Sequence, residues 1–337
     1  MKVAILSNLF PDDNEYKEVE DDLMEFGRNV QKALVKCGHE VVFFDVNETT
    51  FEKLRTADID IAFNVCERFN GNSLFEPHVA AMLELLNIPY TGSGPLTLAT
   101  CINKVRVKEI LMHHGIPTPR YQVFYSKNRK LNPELNFPLI VKPAQMDNSI
   151  GIRNDSVVYT EDDLRRKVAY ILRTYDQPAL VEEFIDGREI TVGILGTDKT
   201  TVLPIVETCF DDFPEGMNKI LGYDAKWYIK CPYTFPESLP KYLEARIKKI
   251  ALDVYDILGV RDYGRVDFRV GPDNVPYVLE MNPNPGISFE CFLPIAARKH
   301  GIQYHELINM VLVLALERQE NKIKVLPTPK QERVEVQ

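Results

Sequence analysis

Apolar residues recur along the chain at two spacings, and the alternation between them predicts mixed architecture. Lys2–Leu6 (KVAIL), the segment Glu18–Cys37 closed by Gly38, and Glu40–Asp45 (EVVFFD) read as strand, helix and strand, a βαβ unit. Ile59–Phe63 predicts another strand and Phe75–Leu86 another helix. The glycine-rich segment Ile88–Gly94 then closes a first α/β unit. From Leu96 to His113 the period is helical throughout, and Gly115, Pro117 and Pro119 stop it, marking a linker. Tyr121–Phe124, Pro138–Lys142, Val157–Tyr159 and Ala179–Glu183 predict strands around a helix Glu161–Arg173, capped by Thr160 with Asp163 at the box position. Glu189–Leu195 and Thr201–Val206 pair as strands, and a long irregular stretch, Glu207–Phe235, follows. Pro240–Leu258 is an amphipathic helix ended by Gly259, and a last helical region runs to about Glu317. The polar tail from Lys322 is expected to be poorly ordered.

One stretch concentrates chemistry. In Gly264–Ile287, Arg265, Asp267 and Arg269 alternate with Val266, Phe268 and Val270, while Glu280 and Asn282 alternate with Leu279 and Met281. Gly271-Pro272-Asp273-Asn274 between them is a turn signal. A hairpin centred between Asp273 and Asn274 sets Asp267 opposite Glu280, Arg265 opposite Asn282, Val266 opposite Met281 and Phe268 opposite Leu279. Facing carboxylates repel, so a cation between them is expected, and oxygen ligands favour magnesium over zinc. A solvated hairpin face is the plain alternative; Arg265, Asn282 and the rigid Pro-Asn-Pro-Gly exit tilt the balance toward a site.

Composition narrows the class. The 337 residues, 45% hydrophobic and 26% charged, suit a globular protein of two or three domains. A net charge of -9 argues against a general nucleic-acid or anionic-membrane surface. Six scattered cysteines without a C-x-x-C pair predict a reduced, cytoplasmic protein. Val3–Leu6 is too short for a signal segment and Leu307–Leu316 too short to span a bilayer, so a soluble protein is expected.

Neither G-x-G-x-x-G nor G-x-x-x-x-G-K-[ST] occurs, which removes the two commonest nucleotide fingerprints. Lys142, ending the run PLIVKP, and Lys104 are candidate phosphate cations, although a strand-end lysine is often only solvated. Ala144–Gly151 reads either as a mobile loop over phosphates or as a plain connection. Glu182-Glu183-Phe184-Ile185 and Glu189 could offer backbone amides to a purine and a carboxylate to a ribose, or be exposed strand-end acids. The histidines suggest helix-terminal or surface roles.

Taken in order, Lys104, VKPA with DNSIGI, EEFIDGREITVGIL and DYGRVDFRV…YVLEMNPNPGI, together with NIPYTGSG and GIPTP, resemble the ATP-grasp superfamily, and within it the D-alanine–D-alanine ligases. The resemblance implies a three-domain ATP-grasp fold, α/β and α+β: an N-terminal domain over residues 1–95, a central subdomain over 96–183, a C-terminal subdomain with the metal site over 184–321, and a tail over 322–337. ATP would lie between two antiparallel sheets. Lys104, Lys142, Ser149 and Lys226 would serve the nucleotide phosphates, Glu182, Glu183, Phe184 and Ile185 the adenine, and Glu189 the ribose. Asp267, Glu280 and Asn282 would hold two magnesium ions, with manganese a substitute. Arg265 and the amide of Gly286 would steady an oxyanion as an amine attacks an acyl phosphate. That implies an ATP-dependent carboxylate–amine ligase on small amino-acid-like substrates, with a homodimer admitted as its assembly. A phosphotransferase on the same fold is the alternative, and a nucleotide-binding regulator without turnover a second. The chain leaves the family pattern at Ser7–Glu18, where Glu15 and Glu18 are the candidates for a substrate acid and neither aligns with the family's, and at Cys66–Ser73 (CERFNGNS). It departs again at Asn148, Trp227 and Cys291, where the family has a loop serine, a loop tyrosine and a substrate-gripping serine. A thiol is a weak donor, so a specificity other than D-alanine is expected.

Overall fold

This computed structural model describes residues 1–7, 17–70, 72–229 and 231–325, with side chains described for all of these except 17–24 and 321–325. In chain order, strand β1 (Lys2–Ser7), helix α1 (Lys17–Lys36), β2 (Glu40–Asp45), α2 (Thr50–Arg55) and β3 (Ile61–Asn64) build a parallel sheet in the order β2-β1-β3. Its central strand is apolar on both faces, as a parallel strand between covering layers must be. Val3 and Ile5 pack with Val30 and Leu34, while Ala4 and Leu6 pack with Val79 and Leu83. Helices α3 (Glu76–Leu85), α4 (Pro95–Ile102) and α5 (Lys104–His113) follow.

Strands β4 (Tyr121–Phe124), β5 (Leu139–Pro143), β6 (Val157–Val158) and β7 (Ala179–Glu183), with helix α6 (Glu161–Thr174), form an antiparallel sheet ordered β4-β7-β5-β6. Thr160 caps α6 by accepting the Asp163 amide at 3.2 Å. A second antiparallel sheet gathers β8 (Arg188–Leu195), β9 (Thr201–Val202), β10 (Val206–Thr208) and β11 (Tyr233–Thr234). After helix α7 (Lys241–Ile257), the strands β12 (Tyr263–Val270) and β13 (Pro276–Asn282) complete it. Helix α7 covers one face of this sheet: Leu243, Ile247, Ala251 and Val254 recur at helical spacing and pack on Ile190, Val192, Val266 and Phe268. Helices α8 (Phe292–Lys299) and α9 (Tyr304–Val325) return to the first sheet, where Leu307, Ile308 and Val311 join Val3 and Ile5. Among the described residues no helix is long and apolar enough to cross a membrane, and no disulfide forms.

Four expectations need correction. The helical pattern Leu96–His113 is two helices, because Asn103 leaves the helical conformation (φ -91, ψ 91) and its side chain caps α5 by accepting the Arg106 amide. The run Thr201–Val206 is split at Leu203-Pro204-Ile205 into β9 and β10, which pair with different segments of β8; proline lacks the amide a continuous ladder needs. The last helical region is likewise two helices, and α9 continues through Val325, so the first residues of the expected tail are helical. Residues 326–337 lie outside those described. Fourth, the hairpin register holds for Arg265 with Asn282, Val266 with Met281 and Asp267 with Glu280. A bulge then intervenes, and Phe268 faces Val278 rather than Leu279. The extra residue leaves Val278 fully buried against the core and sends both Leu279 and Glu280 to the opposite side.

Candidate active-site cleft

Leu279 and Glu280 both face a cleft of ≈ 740 Å³. One wall comes from β5 and β7 of the four-stranded sheet and the other from β8, β12 and β13 of the six-stranded sheet, with α1, α3 and α4 closing one end. The bulge therefore turns two consecutive residues of β13 away from the core, where a regular strand would turn one.

On the six-stranded wall the acids meet as the pattern predicts. Arg265 donates to Asp267 through Nε at 3.0 Å and Nη2 at 2.8 Å; Thr191 adds 2.8 Å and the Asn282 amide 2.9 Å. Burial, with the nearby Glu280, pushes the Asp267 carboxyl above its ordinary range despite Arg265. Glu280 goes the other way: burial opposes it, but Lys104, Lys142 and Arg265 bring it down to about 2. Its nearest cation is Lys104, at 3.1 Å. The break at Asn103 puts Lys104 first in α5, where its amide donates to the Ala144 carbonyl at 3.0 Å and its Nζ to the Met146 carbonyl at 2.7 Å. Lys104 is thus drawn between β13 and the 144–151 loop.

At the other end, Lys142 pairs with Glu182 at 2.5 Å, and Lys108 contacts the same carboxylate from behind. Glu183 is turned toward Arg120 at 2.7 Å, while Phe184 and Ile185 line the cleft. Glu189 pairs with Arg269 at 2.8 Å and accepts the Leu221 amide at 3.4 Å, and burial raises its carboxyl. Glu182 therefore sits in an ion-pair cluster rather than at an exposed strand end, which removes the plain reading of that junction.

The two loops meet. Asn148 and Ser149 both have positive φ, 55 and 59, so the 144–151 segment is a defined turn. Asn148 accepts from Lys226 at 2.8 Å and donates to Glu67 at 2.9 Å, and Ser149 donates to the Leu221 carbonyl at 2.9 Å. Trp227 follows in a π-helical turn, Ala225–Ile229, and packs, as Cys291 does, against the cluster of Phe26, Ile150 and Tyr223. A Cβ at Gly286 would lie 2.8 Å from Phe26 and 3.2 Å from the Cys291 sulfur, so only glycine brings its backbone this close. Cys291 begins α8. Glu15 lies outside the described residues; Glu18 falls in the first turns of α1, and its side chain is likewise outside them.

Sequence reasoning missed Lys108, Arg269, Glu67, Glu76, Asp147 and Asn284. Lys108 lies one helical turn after Lys104, and Arg269 continues the Arg265, Asp267 alternation, so both carried a periodic signal. Asn284 lies in the Pro-Asn-Pro-Gly exit already singled out, but Glu76, joined to it at 3.5 Å across 208 positions, carried no signal. Glu67, Glu76 and Asp147 all line the cleft; burial raises each, and Glu76, facing the other two, is pushed well above the ordinary range. Among the described residues no three His, Cys, Asp or Glu side chains form a ready-made metal site. Asp267, Glu280 and Asn282 contribute two acids and one amide.

Residues 110–313 match the family model of the D-ala D-ala ligase C-terminus. An uncharacterized protein of Sinorhizobium fredii is 35% identical over 300 residues, 86% of this chain and 87% of that one. A D-alanine–D-alanine ligase of Desulforamulus reducens is 33% identical over 304 residues, 87% of this chain and 93% of that protein. The crystal structure of a D-alanine–D-alanine ligase from Bacillus anthracis complexed with ATP superposes with a TM-score of 0.76 at 28% identity, covering 96% of this chain and 99% of that one.

Proposed function

The chain belongs to the D-alanine–D-alanine ligase family, and from that premise we propose that it joins a carboxylate to an amine with ATP as the phosphoryl donor, releasing ADP and phosphate. The observation that carries this reading is the facing of Asp267 and Glu280 on a wall that also presents Arg265, Asn282 and Gly286 to the cleft. The division into residues 1–95, 96–183, 184–321 and a tail belongs to the same reading.

In it, Lys142, Lys104, Lys226 and Ser149 serve the phosphates, the backbone of Glu183, Phe184 and Ile185 meets the adenine, and Glu189, steadied by Arg269, takes the ribose. Glu182 acts through the lysines it binds. Asp267, Glu280 and Asn282 offer only oxygen ligands of the kind hard divalent cations take. With just two acids they leave coordination positions for phosphate and water, which fits magnesium, as one ion or two, with manganese able to substitute. When bound, such an ion neutralises charge on the transferring phosphoryl group. A substrate carboxylate oxygen attacks the γ-phosphorus, giving an acyl phosphate and ADP; the amine then attacks the acyl carbon and phosphate departs. Arg265 and the Gly286 amide hold the developing oxyanion, while the joined Asn148–Ser149 and Lys226–Trp227 segments exclude water from the acyl phosphate.

The substrate end supports amino-acid-like ligands other than D-alanine. Glu67 and Glu76 offer carboxyl groups whose ionised form an incoming ammonium group would favour, and Cys291 offers a weaker donor than a hydroxyl. The test is ADP release and amide formation across D- and L-amino acids, singly and in pairs. No carboxylate-and-amine-stimulated turnover in any pairing would overturn the ligase reading, and a stable phosphorylated product without amide would turn it into the phosphotransferase.

A further inference from the structure

We infer that Lys108 is a positioning residue that frees the charge of Lys142 for the nucleotide, an inference resting on the ATP-dependent reading of the cleft. Lys142 and Glu182 line the cleft and Lys108 does not. Lys108 is wholly buried behind them, at 0% exposure, with Glu182 at 1%. The Glu182 carboxylate is shared: one oxygen contacts Lys108 and the other is 2.5 Å from Lys142. Two cations against one anion leave one net positive charge, and only Lys142 can present it to the cleft. Without Lys108 the pair Glu182–Lys142 is neutral, and its attraction for a polyphosphate disappears. The environment is dry, so that lost charge is poorly replaced by solvent.

The surroundings of Lys108 fix it in this place. From the linker, Thr118 Oγ1 accepts from its Nζ at 2.6 Å and the Pro119 carbonyl at 3.2 Å; from β4, the Tyr121 ring lies 5.4 Å away. Glu182 on β7 and Lys142 on β5 are the charged groups facing it. Thr118 Oγ1 in turn donates to the Val278 carbonyl at 2.8 Å, and the Val278 amide to the Pro117 carbonyl at 2.8 Å. Val278 is the residue just before the β13 bulge. The lysine therefore joins the small sheet to the hairpin that carries Glu280. Burial, partly offset by Glu182 and reinforced by Lys142, lowers Lys108 to about 8. Its charge is therefore lost within an experimentally accessible range. The sign is opposite for fold and ligand. Between about 8 and the ordinary lysine value the unfolded chain binds this proton more tightly than the folded one, so the Lys108 contribution to stability rises with pH, while the charge available to ATP falls.

The experiment measures binding of magnesium and a non-hydrolysable ATP analogue by calorimetry. Lys108→Met is expected to weaken binding about tenfold or more, and Lys108→Met/Glu182→Gln, which leaves Lys142 alone with its charge, to recover most of the loss; a residue needed only for packing would not be rescued by removing the acid. Wild-type dissociation constants are expected to climb as pH rises from 7 to 9.5. Equal wild-type affinities across that range, or a double variant that folds and binds no better than the single one, would overturn the inference. If the single variant fails to fold, the wild-type profile and the double variant decide. No binding by the wild type at pH 7 would overturn the ligase reading itself, and this inference with it.

Discussion

At the scale of single residues, the hairpin acids carry the sharpest expectation. Asp267→Asn and Glu280→Gln should each lower magnesium-dependent kcat by roughly 100-fold or more, the order seen when one preorganised electrostatic group is removed, with circular dichroism unchanged. Wild-type turnover in both variants would remove the metal assignment. Glu76 gives a second prediction. Its carboxyl is raised by burial and by Asp147 and Glu67. A raised carboxyl contributes stability below the ordinary glutamate range and loses it as pH climbs through the folded value. Glu76→Gln should therefore melt above wild type at pH 8 but not at pH 4, and should bind the amine-bearing substrate more weakly. A variant that melts no higher than wild type at pH 8 would refute the buried-charge account. Arg265, Asp267, Glu280 and Asn282 were legible because a strand alternates and a hairpin pairs. Glu76 was not, because nothing local distinguishes it from any acid in the first turn of a helix.

Elements were legible where period and punctuation agreed. Glycines 38 and 259 ended helices as expected, both with positive φ. Two of the misreadings, at Asn103 and at the β13 bulge, share a cause: one residue within a continuous pattern was given another task by its contacts. Asn103 could have sat in a helix by propensity, but capping α5 sets the Lys104 amide against Ala144. Asn103→Ala should cost about 1 kcal/mol by the usual cap increment and raise KM for ATP, since Lys104 loses its fixed starting point. Thermal melts and ATP titrations check both, and an unchanged KM would separate the cap from the site. The β13 bulge was invisible for a similar reason: Leu279 is apolar and suits the core by alternation, and only the packing of Val278 decides otherwise.

Over the whole molecule, the N-terminal and C-terminal parts meet on Asp262. Fully buried, it accepts from the Gly92 amide at 2.8 Å, from Thr197 Oγ1 at 3.2 Å, and from Arg318 Nε at 3.1 Å and Nη2 at 2.9 Å. Removing one member of a buried pair costs about 3–5 kcal/mol. Asp262→Ala should lose about that much in denaturant titration, and more than Asp262→Asn, since φ here is 65 and asparagine tolerates the left-handed region. Equal, small losses would show that the junction is held elsewhere.

The return of α9 to the first sheet has a consequence for biosynthesis. Val3 and Ile5 complete their packing only against Leu307, Ile308 and Val311, and the Tyr90 carbonyl receives its donor from Arg318 at 2.7 Å. A ribosome therefore exposes the first βαβ unit long before it supplies the helix that covers it. The opening strand of the chain is among the last to be fully enclosed, and a nascent chain halted before residue 307 would carry an open apolar face for chaperones to hold.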